Sequence, residues 1–186
     1  MTIMKKFFIM PVLAVVMISC GNKPTNENTD TNEQDSTLVT EIVEFSPEEG
    51  NHYLDISVPM MGGGNLRLSE FIPENKLTIV DCWASWCPPC VAEMPNLVAI
   101  YEKYHSQGLE ILGISFDKEE KAWVDKVAQL GMKWPQGSEL NGWENQMMEK
   151  YGVNSIPCTF IINQEGIILA RGLRGEELEA FIQQNL

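Results

Sequence analysis

Two cysteines separated by two prolines carry the clearest chemistry in the sequence, in the motif Cys87-Pro88-Pro89-Cys90. An apolar run precedes the motif and helical spacing follows it, which predicts Cys87 at the N-terminal edge of a helix. Unpaired N–H groups and the helix dipole favour an anion at that edge, so the Cys87 thiolate is stabilised. We therefore predict an exposed attacking thiol at Cys87 and a shielded resolving thiol at Cys90, suited to thiol–disulfide exchange.

A zinc site is the alternative chemistry for such a cysteine pair. A closed structural zinc site needs four ligands, and a second paired motif usually supplies half of them. Neither His52 nor His105 has a suitably spaced partner, and Cys82 is expected to point away from the motif. The sequence therefore predicts no metal and no cofactor, with the Cys87–Cys90 disulfide as the redox group.

The elements that must position this motif follow from hydrophobic periodicity and turn residues. The apolar run before the motif is typical of a buried central strand. The sequence predicts strands at Tyr53–Val58, Leu66–Leu68, Leu77–Trp83, Leu109–Phe116, Thr159–Ile162 and Ile167–Ala170. It predicts helices at Pro88–His105, Glu119–Leu130, Trp143–Tyr151 and Gly175–Leu186. This order implies an α/β fold with a mixed sheet covered on both faces.

The segment from Ile79 to Cys90 closely resembles thioredoxin-like proteins. Its continuation, Val91-Ala92-Glu93-Met94-Pro95, is similar to the TlpA/ResA group of exported, membrane-tethered thiol–disulfide oxidoreductases. The resemblance runs from about residue 50 to the C-terminus. It includes Ile156-Pro157, which matches the cis-proline loop facing the cysteine motif, and an insertion around 119–133. It implies a thioredoxin-like central mixed sheet, an N-terminal β-hairpin extension and a helical insertion.

Two acidic residues acquire candidate roles from this resemblance. Asp81 matches a buried aspartate beneath the second cysteine, where a raised pKa would let it take the proton of Cys90. Glu93 matches an acidic residue of the group's pattern and is expected to tune the proton affinity of that thiol. The alternatives are a strand-end Asp81 that only forms hydrogen bonds and a Glu93 that is an ordinary solvated helix residue.

Four residues around the motif are predicted to contact substrate proteins: Trp86, Pro88, Ile156 and Pro157. Trp86 adjoins the attacking cysteine, and the resemblance places the Ile156-Pro157 loop opposite it. Together they form the predicted substrate-binding surface.

Two further cysteines lie close to these elements. Cys82 is predicted to lie in the core, where a free cysteine behaves as a small apolar residue. Cys158 follows the predicted cis-proline, where the family usually has threonine, and is therefore expected near the redox centre. It is either a packed spectator or a third thiol able to pair with an active-site cysteine.

The N-terminus has the pattern of an export signal. Lys5 and Lys6 precede an apolar run over 7–18, which is too short to span a bilayer. The following Ser19-Cys20-Gly21 resembles the lipidation site of bacterial lipoproteins. We therefore predict a signal peptide over 1–19 and a lipidated Cys20. A plain cleaved signal with an incidental cysteine is the alternative.

The polar segment that follows Cys20 lacks large apolar side chains from residue 22 to residue 37. Such a composition predicts a flexible tether, here assigned to residues 20–40. Residues 41–186 then form one domain of ordinary size. The chain is expected to act in the cell envelope, as a periplasm-facing lipoprotein on a membrane.

The formal net charge of −13 argues against nucleic acid as a partner. The resemblance implies partners of two kinds, disulfide-containing exported proteins and a membrane thiol that donates electrons, with reduction favoured over oxidation. Two other functions remain open. One is a peroxiredoxin-like thiol peroxidase, which would hold its cysteine in a threonine-rich loop. The other is a lipid-anchored binding protein that retains the fold without catalysis.

Overall fold

The computed structural model of the protein describes residues 45–186. The predicted signal peptide, Cys20 and the whole predicted tether lie outside the described residues. The strands are β1 (Ser57–Pro59), β2 (Asn65–Arg67), β3 (Leu77–Trp83), β4 (Leu109–Ser115), β5 (Gln136–Ser138), β6 (Cys158–Asn163) and β7 (Ile168–Arg171). The helices are α1 (Leu68–Phe71), α2 (Pro88–Tyr104), α3 (Glu120–Leu130), α4 (Gln146–Tyr151) and α5 (Gly175–Asn185).

A five-stranded mixed sheet forms the centre of the fold, in the order β5-β4-β3-β6-β7. Strands β3, β4 and β5 are parallel, whereas β6 pairs antiparallel with both β3 and β7. Every residue of β3 is buried, as its apolar sequence predicts for a central strand. The predicted thioredoxin-like fold is therefore confirmed, including the N-terminal β1–β2 hairpin and the inserted helix α3.

Helices cover both faces of the sheet, and β3 presents different residues to each. Successive side chains of a strand point to opposite faces, so Asp81 and Cys82 lie on opposite sides. Thr159 pairs with Asp81 and shares its face, and its hydroxyl donates to the Leu173 carbonyl just before α5 (2.8 Å). Glu93 of α2 accepts from the first N–H of α5 (2.8 Å), so α2 lies on the Asp81 side. Tyr151 of α4 packs edge-on against Phe160 of β6, on the opposite side. The CxxC helix and α4 therefore sandwich the sheet.

The N-terminal hairpin is shorter than the sequence predicts. Only the end of the predicted strand Tyr53–Val58 pairs with β2, whereas the Tyr53 N–H donates to the Gly166 carbonyl near β7 (3.0 Å). Leu68, predicted to end the partner strand, begins α1. Asp55 explains this start, since its carboxylate accepts hydrogen bonds from the Ser69 N–H (3.0 Å) and hydroxyl (3.1 Å). Both contacts join residues that are far apart in the sequence, so local sequence patterns do not predict them.

Strand β5 was not predicted from the sequence, and α4 begins later than predicted. The sequence of β5, Gln-Gly-Ser, has little strand propensity, and pairing with β4 imposes its conformation. Gly137 fits there because an added Cβ would lie 2.6 Å from Val58 Cγ1. Helix α4 was expected from Trp143 but begins at Gln146, where the Asn145 side chain accepts a hydrogen bond from the Met148 N–H (2.9 Å).

Candidate active site

The cysteine motif forms the start of α2, with Cys87 as its N-cap residue. The two cysteines form a disulfide with their Cα atoms 5.3 Å apart. The Cys90 N–H donates a hydrogen bond to Cys87 Sγ (3.3 Å). A helix N-terminus therefore supplies the donor that a Cys87 thiolate requires, as the spacing of the motif predicts.

The burial of the two cysteines differs in part from the prediction. Cys90 is fully buried, in agreement with a shielded resolving thiol, but Cys87 is only 3% exposed. The prediction of an exposed Cys87 is therefore wrong. The carbonyl oxygen of Ile156 lies 3.8 Å from Cys87 Sγ and covers it from the opposite loop.

That opposite loop contains the Ile156–Pro157 peptide bond, which is cis, as the resemblance implies. Both residues are half-buried. On the other side of Cys87, Trp86 is 53% exposed and Pro88 is exposed as well. The four residues predicted to bind substrate therefore lie next to the motif in sequence or face it across the site. Their contact with a substrate stays a prediction.

Asp81 lies on β3, on the side of the sheet that α2 covers, and only 1% of it is exposed. Burial raises the pKa of Asp81 to about 7, with a further contribution from the negative charge of Glu93. Its Oδ2 atom has no hydrogen-bond partner within residues 45–186. A carboxylate with a pKa near 7 accepts a proton readily at neutral pH, and a proton acceptor for Cys90 requires this property.

Glu93 has a contact that was not predicted from the sequence. Its Oε1 atom accepts hydrogen bonds from the Gly175 N–H (2.8 Å) and from the Asn96 side chain (2.9 Å). Gly175 is the first residue of α5, so Glu93 satisfies one of the unpaired N–H groups of that helix. Glu93 is half-buried, and its hydrogen bond to Gly175 joins α2 to α5. Its predicted effect on the Cys90 thiol stays a prediction.

Asp117 is a site residue that was not predicted from the sequence. It is buried, with 1% exposure, and its carboxylate accepts from the Ser85 N–H (2.9 Å) and hydroxyl (2.6 Å). The Ser115 hydroxyl donates to the same carboxylate (2.6 Å). These bonds hold the loop that leads from β3 into Cys87. Sequence reasoning could have found Asp117, because it is an acidic residue just after β4. Strands β3 and β4 are parallel neighbours, so a residue after β4 lies near the end of β3, where the cysteine motif begins.

The two remaining cysteines of the domain are free and buried. Cys82 is fully buried, as predicted for a core residue, and Cys158 is 8% exposed. The register of β3 and β6 places Cys82 directly opposite Cys158. The partner nearest to Cys158 in the sheet is thus Cys82, a pairing that was not predicted from the sequence.

The described part of the chain has neither a membrane-spanning helix nor a cluster of metal ligands. Over residues 45–186, no helix is both long enough and apolar enough to cross a membrane. The same residues contain no group of three or more histidine, cysteine or acidic side chains arranged to hold a metal ion.

A cysteine pair at the start of a helix, facing a cis-proline loop on a mixed sheet, defines a thioredoxin-like thiol–disulfide oxidoreductase. The comparison with protein families agrees with this class. The chain belongs to the AhpC/TSA family, whose sequence profile matches residues 50–171. The fold, the CxxC pair and the family together make the protein an enzyme of disulfide exchange.

Individual relatives carry the same class name. The thiol-disulfide oxidoreductase ResA of Bacillus cereus is 28% identical over 146 residues, which cover 76% of this chain and 81% of the relative. The thioredoxin domain of a thiol-disulfide oxidoreductase from Bacteroides vulgatus superposes with a TM-score of 0.68 at 26% identity, covering 74% of this chain and 96% of that domain. A thiol-disulfide oxidoreductase from Bacteroides fragilis gives the same TM-score, 0.68, at 26% identity, with 73% and 100% coverage.

Proposed function

We propose that the protein is a membrane-anchored, extracytoplasmic reductase of disulfides in exported proteins. The observation that carries the proposal is the Cys87–Cys90 disulfide at the N-terminus of α2, opposite the Ile156–Pro157 loop. The reduced form of this pair is a two-electron donor. Disulfide-containing proteins are the substrates that this enzyme class implies.

The reaction begins with the reduced pair. Cys87 attacks a substrate disulfide as a thiolate, which the Cys90 N–H stabilises, and one substrate sulfur leaves as a thiolate. Cys90 then attacks the mixed disulfide, which releases the second substrate sulfur and forms the Cys87–Cys90 disulfide. Asp81 is the proposed acceptor for the proton of Cys90, since its raised pKa lies near 7.

Substrate recognition is assigned to the surface around Cys87. Trp86 and Pro88 are exposed beside the motif, and the half-buried Ile156 and Pro157 line the opposite side. An extended substrate segment bound between these two sides would place its disulfide next to Cys87. The protein's electron donor is proposed to be a membrane thiol–disulfide carrier.

The proposed location rests on the N-terminal sequence. Lys5, Lys6 and the apolar run over 7–18 belong to the proposed signal peptide over 1–19, and the next residue, Cys20, is the proposed lipid-attachment residue. Lipid attachment at Cys20 would hold the domain at the membrane that contains its electron donor.

Enzyme assays separate this function from its two alternatives. Full-length protein in detergent should accelerate the reduction of insulin disulfides by dithiothreitol, and Cys87→Ser should lower the rate to that of dithiothreitol alone. Consumption of hydrogen peroxide should not exceed that of the Cys87→Ser control. Peroxide turnover without insulin reduction would establish a peroxidase, and the absence of both activities would establish a binding protein.

The direction of exchange has its own test. In growing cells, rapid acid quenching and alkylation should find Cys87 and Cys90 mostly as thiols, as expected of a reductase. A predominantly oxidised pair in cells that contain a functional donor would show that the protein acts as an oxidant.

A further inference from the structure

Cys82 and Cys158 lie opposite each other across the seam between β3 and β6. The Trp83 carbonyl accepts from the Phe116 N–H (2.8 Å), so the backbone polar groups of Trp83 face β4. The Thr159 carbonyl accepts from the Gly172 N–H (2.8 Å) and so faces away from β3. Backbone groups alternate in direction along a strand, and those of the two cysteines therefore face each other.

This arrangement fixes the separation of the two cysteines. An antiparallel pair whose backbone groups face each other is a hydrogen-bonded pair, with Cα atoms about 5.5 Å apart. Disulfides join cysteines whose Cα atoms are roughly 4.4 to 6.8 Å apart. Directly paired residues also project their side chains to the same face of the sheet. The expected Cα separation of Cys82 and Cys158 therefore lies within the disulfide range. The Cβ atoms of such a pair, about 4.5 to 5.5 Å apart, must approach to about 3.5 to 4.5 Å for the bond to form.

Both thiols are buried, but they differ in exposure. Cys158 is 8% exposed, whereas Cys82 is fully buried. Of the two buried thiols, Cys158 is therefore the nearer to solvent, and Cys82 is the more shielded.

Arg171 on β7 pairs with Phe160, which lies two residues after Cys158 on β6. The Arg171 guanidinium stacks 4.9 Å from the centre of the Phe160 ring, and its Nη2 donates to the Gly152 carbonyl (3.3 Å). Burial raises the pKa of Cys158, and Arg171 acts in the opposite direction. Burial and the neighbouring Cys158 both raise the pKa of Cys82. The pKa of Cys158 is raised overall, but less than that of Cys82, so Cys158 is the better nucleophile of the two.

We propose that Cys82 and Cys158 form a second redox-active dithiol, which reduces low-molecular-weight disulfides and is itself oxidised to a cross-strand disulfide. The Cys158 thiolate attacks the small disulfide, forms a mixed disulfide and expels one thiolate. Cys82 attacks the mixed disulfide at Cys158, forms the Cys82–Cys158 bond and expels the second thiolate. The two protons lost by the cysteines pass to the two released thiols. Neither sulfur belongs to the Cys87–Cys90 pair, so the inference goes beyond the proposed function.

The cross-strand bond would join the two halves of the Cys87–Cys90 site. Strand β3 leads into the loop before Cys87, and β6 begins directly after Pro157. A covalent bond between Cys82 and Cys158 ties these strands together at the edge where both halves lie. Oxidation should therefore shift the urea midpoint of unfolding upward, since a cross-link restricts the unfolded chain.

The test uses the full-length chain with Cys87→Ser and Cys90→Ser. Cleavage after lysine and arginine then leaves Cys82 as the only cysteine in peptide 77–103 and Cys158 as the only one in peptide 151–171. The folded, reduced protein is incubated with oxidised glutathione, alkylated, digested without reduction and analysed by mass spectrometry. Most of the two peptides should be recovered as a linked pair, and the urea midpoint should rise.

Single substitutions in the same background assign the two roles. Cys82→Val should accumulate glutathione on Cys158, because the resolving thiol is absent. Cys158→Thr should leave Cys82 free of glutathione until the protein is unfolded. Alkylation of both cysteines without a linked peptide would overturn the proposal, as would glutathione that persists on Cys158 while Cys82 is present.

A further variant tests whether Cys158 pairs with Cys87 or Cys90 instead of Cys82. Cys82→Val with Cys87 and Cys90 intact should give no link between peptides 77–103 and 151–171. A link that persists would mean that Cys158 pairs with an active-site cysteine, and the proposal would fail. Insulin reduction by the wild type is measured separately, so failure of the proposed function remains distinguishable.

Discussion

At Cys87 the stabilising group is a backbone donor rather than a charged side chain. The Cys90 N–H lies 3.3 Å from Cys87 Sγ, and Cys87 itself is the N-cap of α2. Backbone donors at a helix start stay in place throughout a reaction, so they stabilise the thiolate whenever the disulfide opens. The assignment of Cys87 as the attacking thiol and Cys90 as the resolving thiol follows from this position.

The first prediction concerns these two roles. Cys90→Ser should accumulate mixed disulfides between Cys87 and exported proteins, because the resolving thiol is absent. Cys87→Ser should accumulate none. Non-reducing electrophoresis of alkylated cell extracts measures both, and the double variant is the control. Adducts found with Cys87→Ser and not with Cys90→Ser would reverse the roles.

The second prediction concerns the stability cost of Asp81. Its folded pKa is raised from 3.8 to about 7, so the folded state retains a proton that the unfolded state has lost. Stability contributed by Asp81 is therefore complete below pH 4, falls as pH rises to 7 and is lost above it. Asp81→Asn should raise the free energy of unfolding at pH 8 by up to about 4 kcal/mol, since one pKa unit corresponds to about 1.4 kcal/mol.

The same variant should also exchange more slowly, by about tenfold or more, because Cys90 loses its proton acceptor. Urea unfolding from pH 4 to pH 8 and single-turnover exchange measure the two effects. Asp125→Asn is the matched control, because Asp125 is an exposed carboxylate paired with Lys121 on α3. A variant that is less stable and equally fast would mean that Asp81 serves only as a structural hydrogen-bonding residue.

At the scale of elements, the ends of helices and strands are joined by single carboxylates. Asp117 after β4 binds the loop that leads out of β3, and Glu93 of α2 binds the first N–H of α5. Each contact brings together elements that are distant in the sequence. The position of α2, and with it the position of the cysteines, depends on both.

The third prediction separates the two effects of Glu93. Glu93→Gln keeps the acceptor for Gly175 and removes the charge, whereas Glu93→Ala removes both. Glu93→Ala should lower the free energy of unfolding by about 1 kcal/mol, the usual value of a helix cap, and Glu93→Gln should not. Both should lower the pKa of Asp81, since the Glu93 charge raises it.

Urea unfolding and an NMR titration of the Asp81 carboxyl carbon provide the two readouts. If Glu93→Gln loses as much stability as Glu93→Ala, the charge and not the cap is the stabilising feature. If neither variant changes the titration of Asp81, Glu93 has no electrostatic role in the site.

At the scale of the whole molecule, the site lies along one edge of the central sheet. Strands β3 and β4 both end there, at Trp83 and Ser115, and the antiparallel β6 begins there at Cys158. The cysteine motif follows β3, and the cis-proline loop precedes β6. The topology of the sheet therefore brings the two sides of the site together.

The fourth prediction concerns attachment of this molecule to a membrane. Cys20 directly follows the predicted signal peptide over 1–19, so Cys20→Ala should prevent lipidation and leave the chain either soluble or unprocessed. Membrane fractionation and mass spectrometry of the mature N-terminus measure the outcome, with Cys158→Thr as a cysteine control that retains attachment. A wild-type protein that is fully soluble and unlipidated would contradict the prediction.

The sequence by itself determined the chemistry and the fold class. The apolar run before Cys87 and the helical spacing after Cys90 predict a helix that begins at the CxxC motif, and both are local patterns. The apolar run of β3 predicts a buried central strand, because the burial of a strand depends on its own side chains. Such local features, together with the resemblance, were sufficient to predict the cis-proline loop opposite the cysteines.

Only the tertiary structure decided which distant residues meet. The contacts of Asp117 with Ser85 and of Glu93 with Gly175 depend on how loops and helices pack on the sheet. The burial of Cys87 depends on the loop that covers it. The pairing of Cys82 with Cys158 depends on the β3–β6 register, and a shift by one residue would place the two side chains on opposite faces. Register is set by the packing of the entire sheet, and no local pattern around either cysteine encodes it.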